Sequence, residues 1–306
     1  MIVDAHMHIW NRLHGRIGRD TPVIGLANGM IRIGNRQMLG MPASHLDSTA
    51  RAELAIAEFD AAGVDVGVVV QENMDGEQND YCLDSMRMFP SRFWCHALPD
   101  YFSPITFVQQ CEALFSQGFR GIKIPAGHLA MANVHIDDPA FMPIWDRMAL
   151  EGFVLAVDLV EGEGQVPQMQ HVLGQFPRLK VAIGHFGMPT RGGWPGQLML
   201  CKSEHVYLES GGIIWLHRRE GYPFPGAVAT IKEAANRVSI DKLMWGSDWP
   251  RTMADFTYRQ SIQFIRDSAV LTERDKELLL GENALRLYDL PRSSVPREPV
   301  ALITEE

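Results

Sequence analysis

The chain has 306 residues, 46% of them hydrophobic, and a formal net charge of −9. That apolar content suffices for one barrel-sized domain or two modest ones. The acidic balance argues against nucleic acid as a partner, no stretch reaches the ~18 apolar residues of a membrane helix, and no basic, apolar leader opens the chain.

The first strand is expected at residues 2–10, "IVDAHMHIW", where Val3, Ala5, Met7 and Ile9 alternate with Asp4, His6 and His8. A side-chain period of two predicts one apolar face and one face carrying all three polar groups. Residues 11–46 follow as an unusually long connection. They hold Arg12, Arg16, Arg19, Arg32 and Arg36 against a single acid, Asp20, a formal +4. Connections of this length inside a compact domain are often lids or binding segments. An amphipathic helix spans 49–63 and stops at Gly63.

Strands are expected at 65–71 and 92–99. A helix at 103–118 opens with Ser103 as cap and Pro104 at its first position. Next come a strand at 119–125, a helix at 138–152, and strands at 153–160, 179–187, 205–212 and 242–250. Residues 251–290 read as closing helices, and 291–306 as a proline-punctuated tail. Cys82, Cys95, Cys111 and Cys201 form no CxxC pair, so reduced core thiols and a cytoplasmic location are expected.

Eight strands separated by helices mean parallel βαβ units. The expected fold is α/β: a single (β/α)8 TIM barrel over residues 1–290, with a long loop after the first strand and a tail at 291–306. A doubly wound open sheet is the alternative. No strand runs into a GxGxxG turn, which argues against its nucleotide-binding form.

Following the period of two along each strand pairs Gly121 with Lys123 and Ala156 with Asp158. It groups Val181 and Ile183 with His185, Tyr207 with Glu209, and Met244 and Gly246 with Asp248. In each set the last inward position is polar or ionisable. A solvated edge strand would explain residues 2–10 alone. It does not explain His6, His8, Lys123, Asp158, His185, Glu209 and Asp248 together at the strand ends where barrel enzymes place their chemistry. Two imidazoles at i and i+2 on one face can share a metal or flank a substrate. Asp248 could bind that metal or act as general base on an attacking water.

"DAHMHIW", "GFRGIKI", "IGHFGMP", "VYLESGG", "WGSDWP" and "GENALRLYDL" occur in this order over residues 1–290. With these pieces the chain resembles the amidohydrolase superfamily, in its amidohydrolase-2 branch of metal-dependent TIM-barrel hydrolases, which includes lactonases, decarboxylases and hydratases. The resemblance implies that His6, His8, His185 and Asp248 hold one divalent ion, zinc or manganese, weakly bound or dispensable. One departure stands out. Metal-rich members carry a histidine at the end of strand five, where this chain has Asp158 in "AVDLV". A binuclear site bridged by a carboxylated Lys123 is therefore not expected. Lys123 is expected to meet a substrate carboxylate or carbonyl, with an ion pair to Glu209 or Asp158 as the structural alternative.

The expected function is a hydrolase opening a small anionic lactone, with Asp248, His185 and Lys123 catalytic. Arg12, Arg191, Arg218, Arg251 and Glu209 are expected to bind the substrate, because arginine forks match carboxylates and sulfonates. A nonoxidative decarboxylase or hydratase on the same residues is the alternative. A catalytically lapsed barrel serving assembly is the third reading, against which the intact "WGSDWP" argues. A homo-oligomer is expected.

Overall fold

The structure, a computed structural model, describes residues 1–159, 164–190 and 192–292. The barrel begins with β1 (Val3–Met7). An antiparallel meander follows: β2 (Arg16–Ile17), β3 (Thr21–Gly25), β4 (Met30–Ile33) and β5 (Arg36–Leu39). The alternation of strands and helices then runs α1 (Ala52–Ala62), β6 (Val66–Val69), α2 (Asn79–Met88), β7 (Phe93–Cys95), α3 (Pro104–Ser116) and β8 (Gly121–Ile124). After α4 (Ala126–Met131) and α5 (Met142–Glu151) come β9 (Val154–Val157), α6 (Val166–Gln175), β10 (Lys180–Ile183), α7 (Trp194–Leu200) and β11 (Val206–Glu209). The chain continues through α8 (Pro225–Val238), β12 (Leu243–Met244), α9 (Tyr258–Arg266), α10 (Glu273–Glu277) and α11 (Asn283–Leu287).

All eight expected barrel strands are present, each shorter than its apolar run. They pair in parallel as β1–β6–β7 and as β8–β9–β10–β11–β12. Both seams are hydrogen-bonded. At one, Ala97 bridges Ile122, with the Ala97 N–H donating to Gly121 at 2.9 Å and the Lys123 N–H to Ala97 at 2.8 Å. At the other, Met7 bridges Trp249, and the Ala5 N–H donates to Trp245 at 2.9 Å. The eight strands are thus neighbours all the way round, as in a TIM barrel. The expected tail lies, beyond Arg292, outside the described residues.

The barrel holds two apolar layers. Val3, Ala5, Val66, Val68, Val154, Ala182, Tyr207 and Met244 fill its interior, and Ala284, Leu285, Leu287 and Tyr288 of the last helix pack against them as a floor. A larger cluster, which includes Phe59, Phe107, Trp145, Ile183 and Ile231, lies between strands and helices. The four cysteines are buried and free. No helix among the described residues is long and apolar enough to cross a membrane.

Two strand phases differ from the simple alternation. In β1, Val3 pairs with Val66 and Asp4 with Gly67, but Met7 pairs with Val69. Ala5 and His6 therefore both stand opposite Val68, a bulge of two residues against one. Val3 and Ala5 fill the interior, and the bulge then lets His6 and His8 enter the mouth. Asp4 does not share their face: it accepts hydrogen bonds from the Ser247 hydroxyl at 2.6 Å and the Tyr258 hydroxyl at 2.9 Å. In β10 the interior residue is Ala182, while Val181 and Ile183 belong to the outer layer. His185 reaches the mouth because His185 and Phe186 take left-handed backbone, with φ of 52° and 53°.

The connection expected as a loop at 11–46 is instead a small sheet. Its hairpins turn at Asn28-Gly29 and Gly34-Asn35, with positive φ at Asn28, Gly29 and Gly34. Such backbone suits the tight turns of two-residue hairpins.

Because Leu287 is 2% exposed and seals the floor away from the mouth, Leu287→Ala is expected to cost about 2–5 kcal/mol. Urea unfolding measures the loss, and the rate per folded molecule is expected to stay at the wild-type level.

Candidate active site

The mouth of the barrel carries a chain of buried acid–base contacts. Its centre is Asp248, at the end of the eighth strand in left-handed backbone (φ 56°). Asp248 Oδ1 lies 3.0 Å from His8 Nε2 and 3.8 Å from His6 Nε2. On one side, His6 Nδ1 is 2.5 Å from Glu209 Oε1. On the other, His8 Nδ1 faces Asp75 Oδ2 at 3.3 Å, and Asp75 in turn pairs with Arg251. The Arg251 guanidinium also lies over the Trp10 ring, 5.4 Å from its centroid.

A second cluster adjoins the first. Lys123 is fully buried, and its Nζ lies 2.6 Å from Asp158 Oδ2 and 3.9 Å from Glu72 Oε1. Gly184 lets the two clusters meet. A Cβ added there would overlap Asp158 Oδ1 and stand 3.0 Å from Glu209 Oε1. Gly246 plays a similar part under the histidines, where an added Cβ would come within 2.6 Å of His6 Cβ.

These surroundings set the protonation of each group. Burial alone would raise the Asp248 carboxyl, but the hydrogen bond and charge of His8 hold it below its ordinary value. Burial would lower His8, yet the carboxylates of Asp248 and Asp75 push it up to about 9. Burial, with His185, Lys123 and His8 nearby, drives His6 well down, so its ring is neutral. Burial pushes Glu209 up to about 8. Lys123 would be lowered by burial, but Asp158, Glu72 and Glu209 keep it above its usual value, as an ammonium.

His6, His8 and Asp248 each present a ligand atom, all within 4.8 Å of one another. His6 Nε2 is buried and has no hydrogen-bond partner, while its other nitrogen is held by Glu209. A metal-bound imidazole takes this arrangement, with one nitrogen fixed by a carboxylate or carbonyl and the other free to ligate. The donor set therefore fits a divalent ion, with nitrogen and oxygen ligands that suit zinc or manganese. His185 stands beside the three. Its Nδ1–H donates to the Gly211 carbonyl at 2.8 Å, and its ring centroid is 4.7 Å from that of His6.

The structure thus brings together His6, His8, Lys123, His185, Glu209 and Asp248. Of the arginines expected to bind substrate, Arg251 joins this cluster through Asp75. Arg218 is exposed and 3.6 Å from Asp255, and Arg12 is exposed. Arg191 lies outside the described residues. Sequence reasoning missed Glu72 and Asp75, which follow the second barrel strand in "QENMDG". It also missed His96, which is buried against Trp94 and Tyr288 beneath Lys123 and pushed by burial to about 3. An acid three or six residues past the end of β6 was the available signal for the first two.

The amidohydrolase family model matches residues 3–290. No curated protein sequence matches the chain. Among solved structures, a Burkholderia multivorans amidohydrolase with bound zinc is 18% identical with a TM-score of 0.70, over 95% of this chain and 100% of that one. A probable 2-pyrone-4,6-dicarboxylic acid hydrolase from Acinetobacter baumannii, with citric acid bound, is 19% identical with a TM-score of 0.67, over 94% and 99%. The 2,6-dihydroxybenzoate decarboxylase from Rhizobium is 13% identical with a TM-score of 0.59, over 77% and 87%.

Asp75→Asn keeps the shape of the group behind His8 but removes its charge. Zinc affinity is expected to fall about 10–100-fold, as for other carboxylates behind a ligating histidine. Competition against a chelator dye measures this without an activity assay.

Proposed function

The chain belongs to the amidohydrolase family, and from that premise we propose that it is a hydrolase that opens a small lactone by attack of an activated water. The observation that carries this reading is the buried Asp248, held ionised 3.0 Å from His8 Nε2 and facing His6. An ionised carboxylate among imidazoles, at the open end of a barrel, is built to take a proton from water.

The residues divide the work by position. Asp248 accepts the proton from the attacking water. His6, His8 and Asp248 hold a divalent ion, with His185 beside them. When bound, such an ion supplies Lewis acidity and eases deprotonation of water. Across the mouth, the Lys123 ammonium stabilises negative charge developing on the carbonyl oxygen. Glu209 fixes His6 and keeps its Nε2 turned inward.

Inside the mouth Glu72, Asp75, Asp158, Glu209 and Asp248 outnumber Lys123 and Arg251, and Arg251 is already paired. We infer that an anionic substituent stays outside this acidic mouth, where the exposed Arg12 and Arg218 follow the first and seventh barrel strands, and that the lactone ring enters first. The citrate-bound Acinetobacter hydrolase supports an anionic substrate by analogy of fold. The decarboxylase among the similar folds keeps nonoxidative decarboxylation as the second reading.

A panel holding a carboxylated lactone, a neutral aldonolactone and a hydroxybenzoate separates the two. Ring opening by the wild type without release of carbon dioxide is expected. Asp248→Asn is expected to lower kcat by ~10²–10⁴-fold, the usual cost of losing a general base, with an unchanged circular dichroism spectrum. More than half of wild-type activity in that variant would remove Asp248 from the role.

A further inference from the structure

Asp4 lies on β1 two residues before His6, turned away from the mouth and fully buried. A buried carboxylate is costly unless hydrogen bonds replace its water. Four donors do so here. Oδ1 accepts the Ser247 N–H at 2.8 Å and the His6 N–H at 3.3 Å. Oδ2 accepts the Ser247 hydroxyl at 2.6 Å and the Tyr258 hydroxyl at 2.9 Å. Ser247 and Tyr258 are buried with it.

Three of these four bonds go to the two segments that carry His6 and Asp248. Regular strand pairing stops short of this point, because β12 ends at Met244 and Asp248 stands in left-handed backbone. Main-chain bonds still cross from one segment to the other, from the Asp248 N–H to the His6 carbonyl and from the His8 N–H to the Trp249 carbonyl, both at 2.8 Å. The Ser247 N–H donates to the Asp4 side chain in place of a carbonyl. The Ser247 hydroxyl, while donating to Asp4, also accepts the Trp249 N–H at 3.0 Å. The residues before and after Asp248 are thereby tied to one side chain of β1, Ser247 directly and Trp249 through the hydroxyl.

We propose that Asp4 is a positioning residue for the metal centre. It locks the backbone on either side of Asp248 to the strand that presents His6, and so holds the carboxylate and the imidazole in place for one ion. It acts through Ser247 and the His6 backbone. This role rests on the reading that His6, His8 and Asp248 hold a divalent ion. Ligands that the fold already holds in place bind an ion more tightly than ligands the ion must gather.

The Tyr258 bond separates this role from packing alone. Tyr258 belongs to α9, which carries no ligand. Without its hydroxyl, Asp4 keeps all three bonds to Ser247 and His6. Ser247→Ala and Tyr258→Phe each remove one hydroxyl from the same carboxylate oxygen, so a purely structural Asp4 would respond to both alike. The readout is zinc affinity, from competition with a chelator dye at a temperature where the variants are folded, with the melting temperature of the metal-free protein beside it. Ser247→Ala and Asp4→Asn are each expected to lower zinc affinity about 10–100-fold, the usual loss for a group that supports a metal ligand. Tyr258→Phe is expected to lower the metal-free melting temperature and to leave zinc affinity within about threefold of wild type. Equal losses of zinc affinity in Ser247→Ala and Tyr258→Phe would overturn the assignment. So would wild-type affinity in Ser247→Ala, whether or not Asp4→Asn folds. A wild-type protein that binds no zinc would instead remove the metal reading, and the positioning role with it.

Discussion

The mouth of this barrel is organised by one contact, the Asp248 carboxylate against His6 of β1 and His8 just past its end. Every other ionisable group there is placed with respect to it. Glu209 and Asp75 stand behind the two rings and turn a nitrogen of each toward Asp248. Arg251 balances Asp75, and Lys123 balances Asp158. An isolated ion in a low-dielectric interior costs several kcal/mol. The site offsets that cost by linking acids and bases so that no charge is left alone. Removing one partner leaves the next one buried and uncompensated, so single substitutions here act on more than the residue replaced.

Backbone that departs from regular geometry makes this placement possible. Without the bulge at Ala5 and His6, a strict alternation would turn His6 away from Val3 and Ala5. Left-handed φ at His185 and at Asp248 carries both side chains inward past the last regular strand residue. Such conformations are uncommon outside glycine, and asparagine, aspartate and histidine adopt them more readily than other residues. The surrounding packing holds them, and they occur where the chemistry is. Gly184 and Gly246 serve the same end by leaving out a side chain where Asp158, Glu209 and His6 must approach.

Much of the architecture was legible in the sequence, because eight apolar runs at regular spacing with helical patterns between them leave few alternatives to a parallel barrel. His6, His8, Lys123, Asp158, Glu209 and Asp248 were legible because an ionisable residue at an inward strand end is out of place in an apolar core. Asp4 was misplaced and the phase of β10 was reversed. A bulge or a left-handed residue shifts the register by one without leaving a compositional mark. The meander had a signal that length alone obscured: "ANGM" and "IGNR" are hairpin turns between alternating residues. Glu72 and Asp75 lie past a strand end, where side-chain direction depends on loop geometry that no period describes. The arginines were expected to bind substrate from their charge and fork geometry, which carry no information about their protein partners. Their partners, Asp75 for Arg251 and Asp255 for Arg218, are 176 and 37 positions away in sequence.

The donor set of His6, His8 and Asp248 fits one divalent ion between them, with Lys123 kept as an ammonium paired with Asp158. Anomalous diffraction from crystals grown with zinc tests it most directly. A single strong peak per chain is expected, bounded by His6, His8 and Asp248, with no density extending from Lys123 Nζ. Two peaks bridged at Lys123, or a single peak held by Asp158 and Glu72 instead, would contradict it.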